Sequence, residues 1–197
     1  VPETTLQLAT ATPAETRALA ATVADHLDVG DVVTLAGDLG AGKTCFVQGA
    51  AAALGVEQPV TSPTFVLVKL LQGRVPVVHV DVYRLERLRD VDDLGEDVFA
   101  PDVVTFVEWG DTLGSLLPPD RLEITLRHAA DGPAATSTDG RDDDGPGVDD
   151  EVVAREDGAL PRDVTIRALG ESWGRRAPAL VDACAPWGAR RPDPEFR

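Results

Sequence analysis

Strand-like and helix-like runs alternate along the chain, and that alternation predicts an α/β fold, a three-layer sandwich around a mainly parallel sheet. Three observations carry the prediction. Gly37-Asp38-Leu39-Gly40-Ala41-Gly42-Lys43-Thr44 is a full match to GxxxxGK[ST], set between the apolar run Val32 to Ala36 and a helix-like run from Cys45 to Leu54 that Gly55 ends. Two further apolar runs close on carboxylates, one on Asp81 and one on Glu108, as strands do when they deliver acids to the ligand edge of a sheet. A length of 197 residues with 43% hydrophobic content buries one sizeable core and is too short for two comfortable ones. The turn at 37–44 reads as a phosphate-binding loop, which makes the expected fold P-loop NTPase-like. Its glycines let the backbone turn tightly and aim amides at phosphate oxygens, Lys43 reaches terminal phosphates, and the Thr44 hydroxyl can ligate Mg²⁺.

The elements follow in order. Thr4 to Ala9 alternates weakly as a short strand. Thr12 is an N-cap, Pro13 stands in the first turn and Glu15 closes a capping box, which starts a helix running to about Leu27. Gly30-Asp31 turns into the strand that feeds the loop. In the helix after the loop, Phe46, Val47, Ala50 and Leu54 share the face that packs on the sheet. Val60-Thr61-Ser62-Pro63-Thr64-Phe65 is a hydroxyl-rich turn, with Ser62 held extended by Pro63. It suits either a capped turn or a switch-like segment that senses a γ-phosphate or Mg²⁺.

Gln72-Gly73-Arg74 makes a hairpin turn into the strand Val75 to Tyr83, whose period of two sets His79, Asp81 and Tyr83 on one face and Val78, Val80 and Val82 on the other. Asp81 is the first Walker-B candidate. His79 reads as a hydrogen-bonded core histidine, because Mg²⁺ prefers oxygen donors. Arg84 suits a phosphate contact or a local pair. Leu85 to Phe99 is helical in pattern and broken by Gly95. Val103 to Glu108 reads as a central parallel strand, with Glu108 the second Walker-B candidate. Trp109 beside it suits stacking on a base or partner, or covering the core. Arg121 to His128 alternates as an edge-type strand, Asp163 to Leu169 resumes a strand, and Trp173 to Cys184 forms a closing helix with Ala177, Leu180 and Val181 inward.

Charge divides the chain. The net charge of −16 opposes direct binding to tRNA or DNA phosphates. Asp131 to Gly158 holds ten acids against Arg141 and Arg155, half of that total, and has too few large apolar residues to offset chain entropy. The expected organisation is a core over 1–130, a flexible acidic insertion over 131–160, a closing strand and helix over 161–185 and a tail over 186–197. Asp142-Asp143-Asp144 belongs to a solvated charge run. The two cysteines, Cys45 and Cys184, fit no metal or disulfide framework, and no apolar run approaches the roughly 20 residues that cross a bilayer. With no leader-like N-terminal pattern, a cytoplasmic protein without membrane attachment is expected.

Five ordered blocks together resemble the TsaE (YjeE) family, the ATPase component of bacterial tRNA threonylcarbamoyladenosine synthesis. They are GDLGAGKT at Gly37 to Thr44, TSPTF at Thr61 to Phe65, HVDVYRL at His79 to Leu85, DLGEDVF at Asp93 to Phe99 and VEWG at Val107 to Gly110. The resemblance covers Thr4 to His128 and, more faintly, Asp163 to Cys184. It implies a mixed sheet, ATP and Mg²⁺ as cofactors, and association with TsaD and TsaB homologues, with tRNA reached only through that complex. Cys45 stands where the family commonly has a second Thr or Ser, which leaves Thr44 intact.

The resemblance also distributes roles. Asp38, Leu39, Gly40, Ala41, Gly42, Lys43, Thr44 and Cys45 bind nucleotide, and Thr12 is a candidate contact to the base. Lys43, Asp81 and Glu108 are catalytic, and Thr44, Asp81 and Glu108 hold the metal. One of Asp81 and Glu108 holds the metal while the other orients water, and the favoured split sets Glu108 near the reacting water and metal with Asp81 supporting the metal shell. Ser62 and Thr64 lie on the γ-phosphate side. With His79, Tyr83, Arg84 and Trp109 they form the segments that couple the site to partners. Two rival readings are a small-molecule P-loop kinase, for which no arginine-rich lid is evident, and a nucleotide-gated binding module with negligible turnover.

Overall fold

Seven strands form one sheet in the order β1-β7-β6-β2-β5-β4-β3, in a computed structural model that describes residues 3–63, 67–83, 96–129 and 161–188. The elements are β1 (Glu3–Thr10), α1 (Pro13–Ala24), β2 (Val32–Ala36), α2 (Lys43–Ala53), β3 (Val68–Leu71), β4 (Val77–Asp81), β5 (Val104–Glu108), β6 (Arg121–His128), β7 (Arg162–Leu169) and α3 (Glu171–Cys184). Short 3₁₀ turns occupy Glu96–Phe99, Gly110–Leu116 and Ala185–Trp187. β2 pairs in parallel with β5 and β6, and β5 in parallel with β4. β7 runs antiparallel to both β1 and β6, and β3 antiparallel to β4, so five of the seven strands share one direction. The sheet is thus mixed, as expected, with its parallel pairings among the inner strands β6, β2, β5 and β4 and its antiparallel ones toward the edges.

Burial follows from these pairings. Every residue of β4 and β5 is buried, and so are the first four of β2, because both faces of these strands are covered. Leu19, Val23, Phe46, Trp173 and Leu180 bring α1, α2 and α3 onto one face, against Ile124 and Ile166. On the other face Val78, Val80, Val82 and Val107 meet Val98 and Leu113 from the 3₁₀ turns and Leu117 just after the second of them, and these segments make the third layer. Helix α1 starts as its sequence dictates: Glu15 N donates to Thr12 Oγ1 at 3.1 Å, and Ala11 N donates to Glu15 Oε2 at 2.7 Å.

Three expectations change. β6 is not an edge strand, since it lies between β7 and β2. Its alternation records one-sided burial, with Leu122, Ile124 and Leu126 inward, and the edges are β1 and β3. Val181 is 39% exposed, while Trp173 joins Ala177, Leu180 and Cys184 on the buried stripe of α3, because Val181, one residue past Leu180, stands about 100° round the helix from it. Of the helical pattern over 85–99, residues 85–95 lie outside the described residues and Glu96–Phe99 is a 3₁₀ turn.

Candidate functional site

Three parallel strands end side by side, and their C-terminal ends carry the site. β2 leads through Ala36 into Gly37, whose φ of 133° lies in the range that disfavours a side chain. A Cβ there would run into the Leu126 carbonyl oxygen, so β6 and the loop can approach this closely only at a glycine. The loop then turns at Gly40 and enters α2 at Gly42, which has a left-handed φ of 105°. The first amides of α2 have no intrahelical acceptor, and this loop-to-helix geometry is a ready anion site.

Lys43 is only 5% exposed. Its Nζ donates to the carbonyls of Gly37 at 2.6 Å and Asp38 at 2.8 Å, and lies 3.6 Å from the centre of the Trp109 ring. Burial lowers its pKa, and the carboxylates of Glu108, Asp81, Asp38 and Asp111 oppose that shift. Trp109 reaches this position through a left-handed backbone, φ 62°, fixed by its amide donating to the Leu35 carbonyl at 2.7 Å. Tyr83 tilts against the same ring at 4.8 Å.

Asp81 and Glu108 are register partners at the ends of β4 and β5, and both are buried. The Thr44 hydroxyl faces both Glu108 oxygens, at 2.8 and 3.0 Å. Asp81 accepts the Ser62 hydroxyl at 2.7 Å and the Tyr83 amide at 2.9 Å. His79, wholly buried, places Nε2 2.9 Å from Glu108 Oε1, while its Nδ1 has no hydrogen-bond partner among the described residues. The histidine is therefore hydrogen-bonded, and its partner is a carboxylate of the site.

These groups surround a cleft of about 550 Å³, within the range of small-ligand sites. Leu39, Gly40, Gly42, Lys43, Thr44, Cys45, Ser62, Asp81, Tyr83, Glu108 and Trp109 all line it, so most of the residues singled out in sequence converge. Asp38 offers its carbonyl to Lys43, and Ala41, within the loop, is wholly buried. Thr12 stands at the start of α1 with its hydroxyl accepting the Glu15 amide, and Pro13 and Arg17 line the cleft on that side. Thr64 and Arg84 lie outside the described residues. Sequence reading missed Arg162, which lines the cleft from the first position of β7 and carries no motif.

The donor set fits a small hard cation. Thr44, Ser62, Asp81 and Glu108 offer oxygens only, and Mg²⁺ is usually bound by one or two carboxylates together with substrate phosphates. Among the described residues no three His, Cys, Asp or Glu side chains gather as a ready metal cage.

A phosphate-binding loop that leaves an inner strand for a helix, flanked by two strand-end carboxylates, defines a P-loop α/β protein. Within that class the chain belongs to the TsaE family: residues 10–135 match the family described as Threonylcarbamoyl adenosine biosynthesis protein TsaE. It is 47% identical over 108 residues to the tRNA threonylcarbamoyladenosine biosynthesis protein TsaE of Treponema pallidum, a match spanning 54% of this chain and 79% of that protein. The Streptomyces coelicolor protein of the same name is 38% identical over 161 residues, spanning 80% of this chain and 93% of its own. The crystal structure of Bacillus subtilis YdiB is similar throughout, with a TM-score of 0.64, 30% identity, and coverage of 92% of this chain and 97% of that one.

Proposed function

We propose that this protein is a Mg²⁺-dependent ATPase that supports threonylcarbamoyl modification of a tRNA adenosine in a cytoplasmic complex with TsaD and TsaB homologues. The observation that carries the reading is the convergence of the loop, Asp81 and Glu108 on one cleft at the ends of β2, β4 and β5. Residues 1–130 and 161–185 make one ATPase core on this reading, interrupted by 131–160; β7 lying between β1 and β6 supports it. The net charge of −16 leaves tRNA contact to the partners.

In hydrolysis, water attacks the γ-phosphorus and the bond to the β-phosphate oxygen breaks, releasing ADP and phosphate. Loop amides from Asp38 to Cys45 hold the phosphates, and the Lys43 ammonium offsets charge on the oxygens where it develops. Thr44, Asp81 and Glu108 would hold Mg²⁺, which supplies charge neutralisation across the phosphates. Glu108 orients the attacking water, and His79 fixes the Glu108 carboxylate from behind. Ser62 ties the 60–63 turn to Asp81, which gives that turn a direct link to the metal-binding acid.

Phosphate release from ATP in the presence of Mg²⁺ and without an added acceptor tests the activity, with Lys43→Ala as the loop-deficient control. Release without acceptor is expected from the wild type and not from the variant. Strict dependence on a small acceptor would make the protein a kinase, and binding without turnover would make it a nucleotide-gated module. Co-purification with TsaD and TsaB homologues, with and without ATP, tests the assembly. No association in either condition would overturn that part of the reading.

A further inference from the structure

Arg162 opens β7, beyond residues 10–135 that match the family, yet its side chain reaches the phosphate-binding loop. It is 3% exposed. Nε donates to the Ala41 carbonyl at 2.8 Å, and Nη1 donates to the Thr16 hydroxyl at 3.4 Å. Thr16 gives its own proton to the Thr12 carbonyl at 3.1 Å and stands 2.9 Å from the Thr10 hydroxyl, so its oxygen is a junction between the guanidinium, β1 and the start of α1. A Cβ on Gly42 would lie 2.6 Å from Arg162 Nε, so the guanidinium fills the space that the glycine leaves. The same side chain lines the cleft beside Lys43, Thr44 and Glu108.

Burying a guanidinium is costly, and a site that needed only filling would be served better by an apolar side chain. What an arginine adds is a directed donor and a permanent charge. A peptide bond is planar and trans, so pinning the Ala41 carbonyl also sets the direction of the Gly42 amide. Burial lowers the Arg162 pKa from its high ordinary value.

We infer that Arg162 is a positioning residue of the nucleotide site: its grip on the Ala41 carbonyl and its packing over Gly42 set the phosphate-binding loop for a nucleoside triphosphate. The inference rests on the ATPase reading above. Its effect passes through loop geometry and so falls on nucleotide affinity rather than on the chemical step.

The test compares wild type, Arg162→Gln, Arg162→Lys and Thr16→Val for MgATP affinity by calorimetry, for KM and kcat of phosphate release, and for melting temperature without ligand. Arg162→Gln is expected to raise Kd and KM about tenfold while kcat changes less than about threefold, the size of one charge-assisted hydrogen bond. Arg162→Lys should recover part of that loss by keeping a donor and a charge. Thr16→Val, which removes the second hold on the guanidinium, should weaken binding by roughly threefold. Unchanged Kd and KM in Arg162→Gln, even with a lower melting temperature, would reduce Arg162 to a structural role and overturn the inference. So would a loss confined to kcat. If Arg162→Gln does not fold, Thr16→Val decides, and wild-type affinity there overturns it. Failure of the wild type itself to bind MgATP would instead sink the ATPase reading.

Discussion

The two halves of the sheet solve different problems. β2, β5 and β4 run parallel, are covered on both faces, and end together at the loop, Glu108 and Asp81. β1, β7 and β6 pair antiparallel, alternate between buried and open positions, and send one side chain, Arg162, into the cleft. The contrast follows from strand direction. Parallel neighbours bring their C-terminal ends to one edge, so several strands deliver groups to a single place. Antiparallel neighbours send successive ends to opposite edges, so that half supplies burial and support.

Removing support should hurt stability most. Trp173 on α3 is wholly buried, with Arg176 stacked 3.9 Å from its ring centre. Trp173→Ala should cost about 3–5 kcal/mol, a large share of a domain's total, and leave the nucleotide affinity of the remaining folded protein within about twofold. Urea unfolding and calorimetry at low temperature read the two quantities. Full stability with lost binding would dissolve the division between the halves.

The complementary change is Glu108→Gln in the parallel half. It keeps the shape of the side chain while removing the charge that faces Thr44 and His79. Phosphate release should fall about 100-fold, with nucleotide still bound, since one electrostatic group acting at the reacting centre is worth about that much. Release at the wild-type rate would remove Glu108 from the chemistry.

What the sequence disclosed has the same division. The loop, Asp81 and Glu108 were legible because each is a local pattern: glycine spacing, or an acid at the end of an apolar run. The interior place of β6 and the reach of Arg162 are results of pairing between distant segments, such as His128 with Arg162, and no local period records them. His79 shows the boundary. Its place on the Asp81 face could be read from strand period, but its Glu108 partner comes from the neighbouring strand.

A smaller effect concerns pH and the helix that covers the antiparallel half. Burial raises the Cys184 thiol from 9.0 to about 11. Between those values the unfolded chain releases the proton while the folded protein retains it, so stability is lost as pH rises. The loss amounts to something on the order of 2 kcal/mol by pH 11. Urea unfolding of wild type and Cys184→Ala at pH 8 and pH 10.5 should show a steeper fall in the wild type. Equal slopes would mean that the thiol titrates freely in the folded state.

The smallest expected effect separates scaffold from site at their shared border. Thr12, just before the first helix, is a candidate from sequence for contacting the base, yet its hydroxyl accepts the Glu15 amide while Pro13 and Arg17 face the cleft. As a cap it should contribute about 1 kcal/mol, so Thr12→Ala should lower stability by that amount. Thr12→Ser retains an oxygen able to accept the amide and should recover most of it. Both variants should bind MgATP as the wild type does, because the capped hydroxyl belongs to the start of α1. A several-fold rise in Kd for ATP in Thr12→Ala, without the same rise for a triphosphate carrying another base, would move Thr12 across the border. The helix start would then read the base, and the antiparallel half would contribute recognition as well as support.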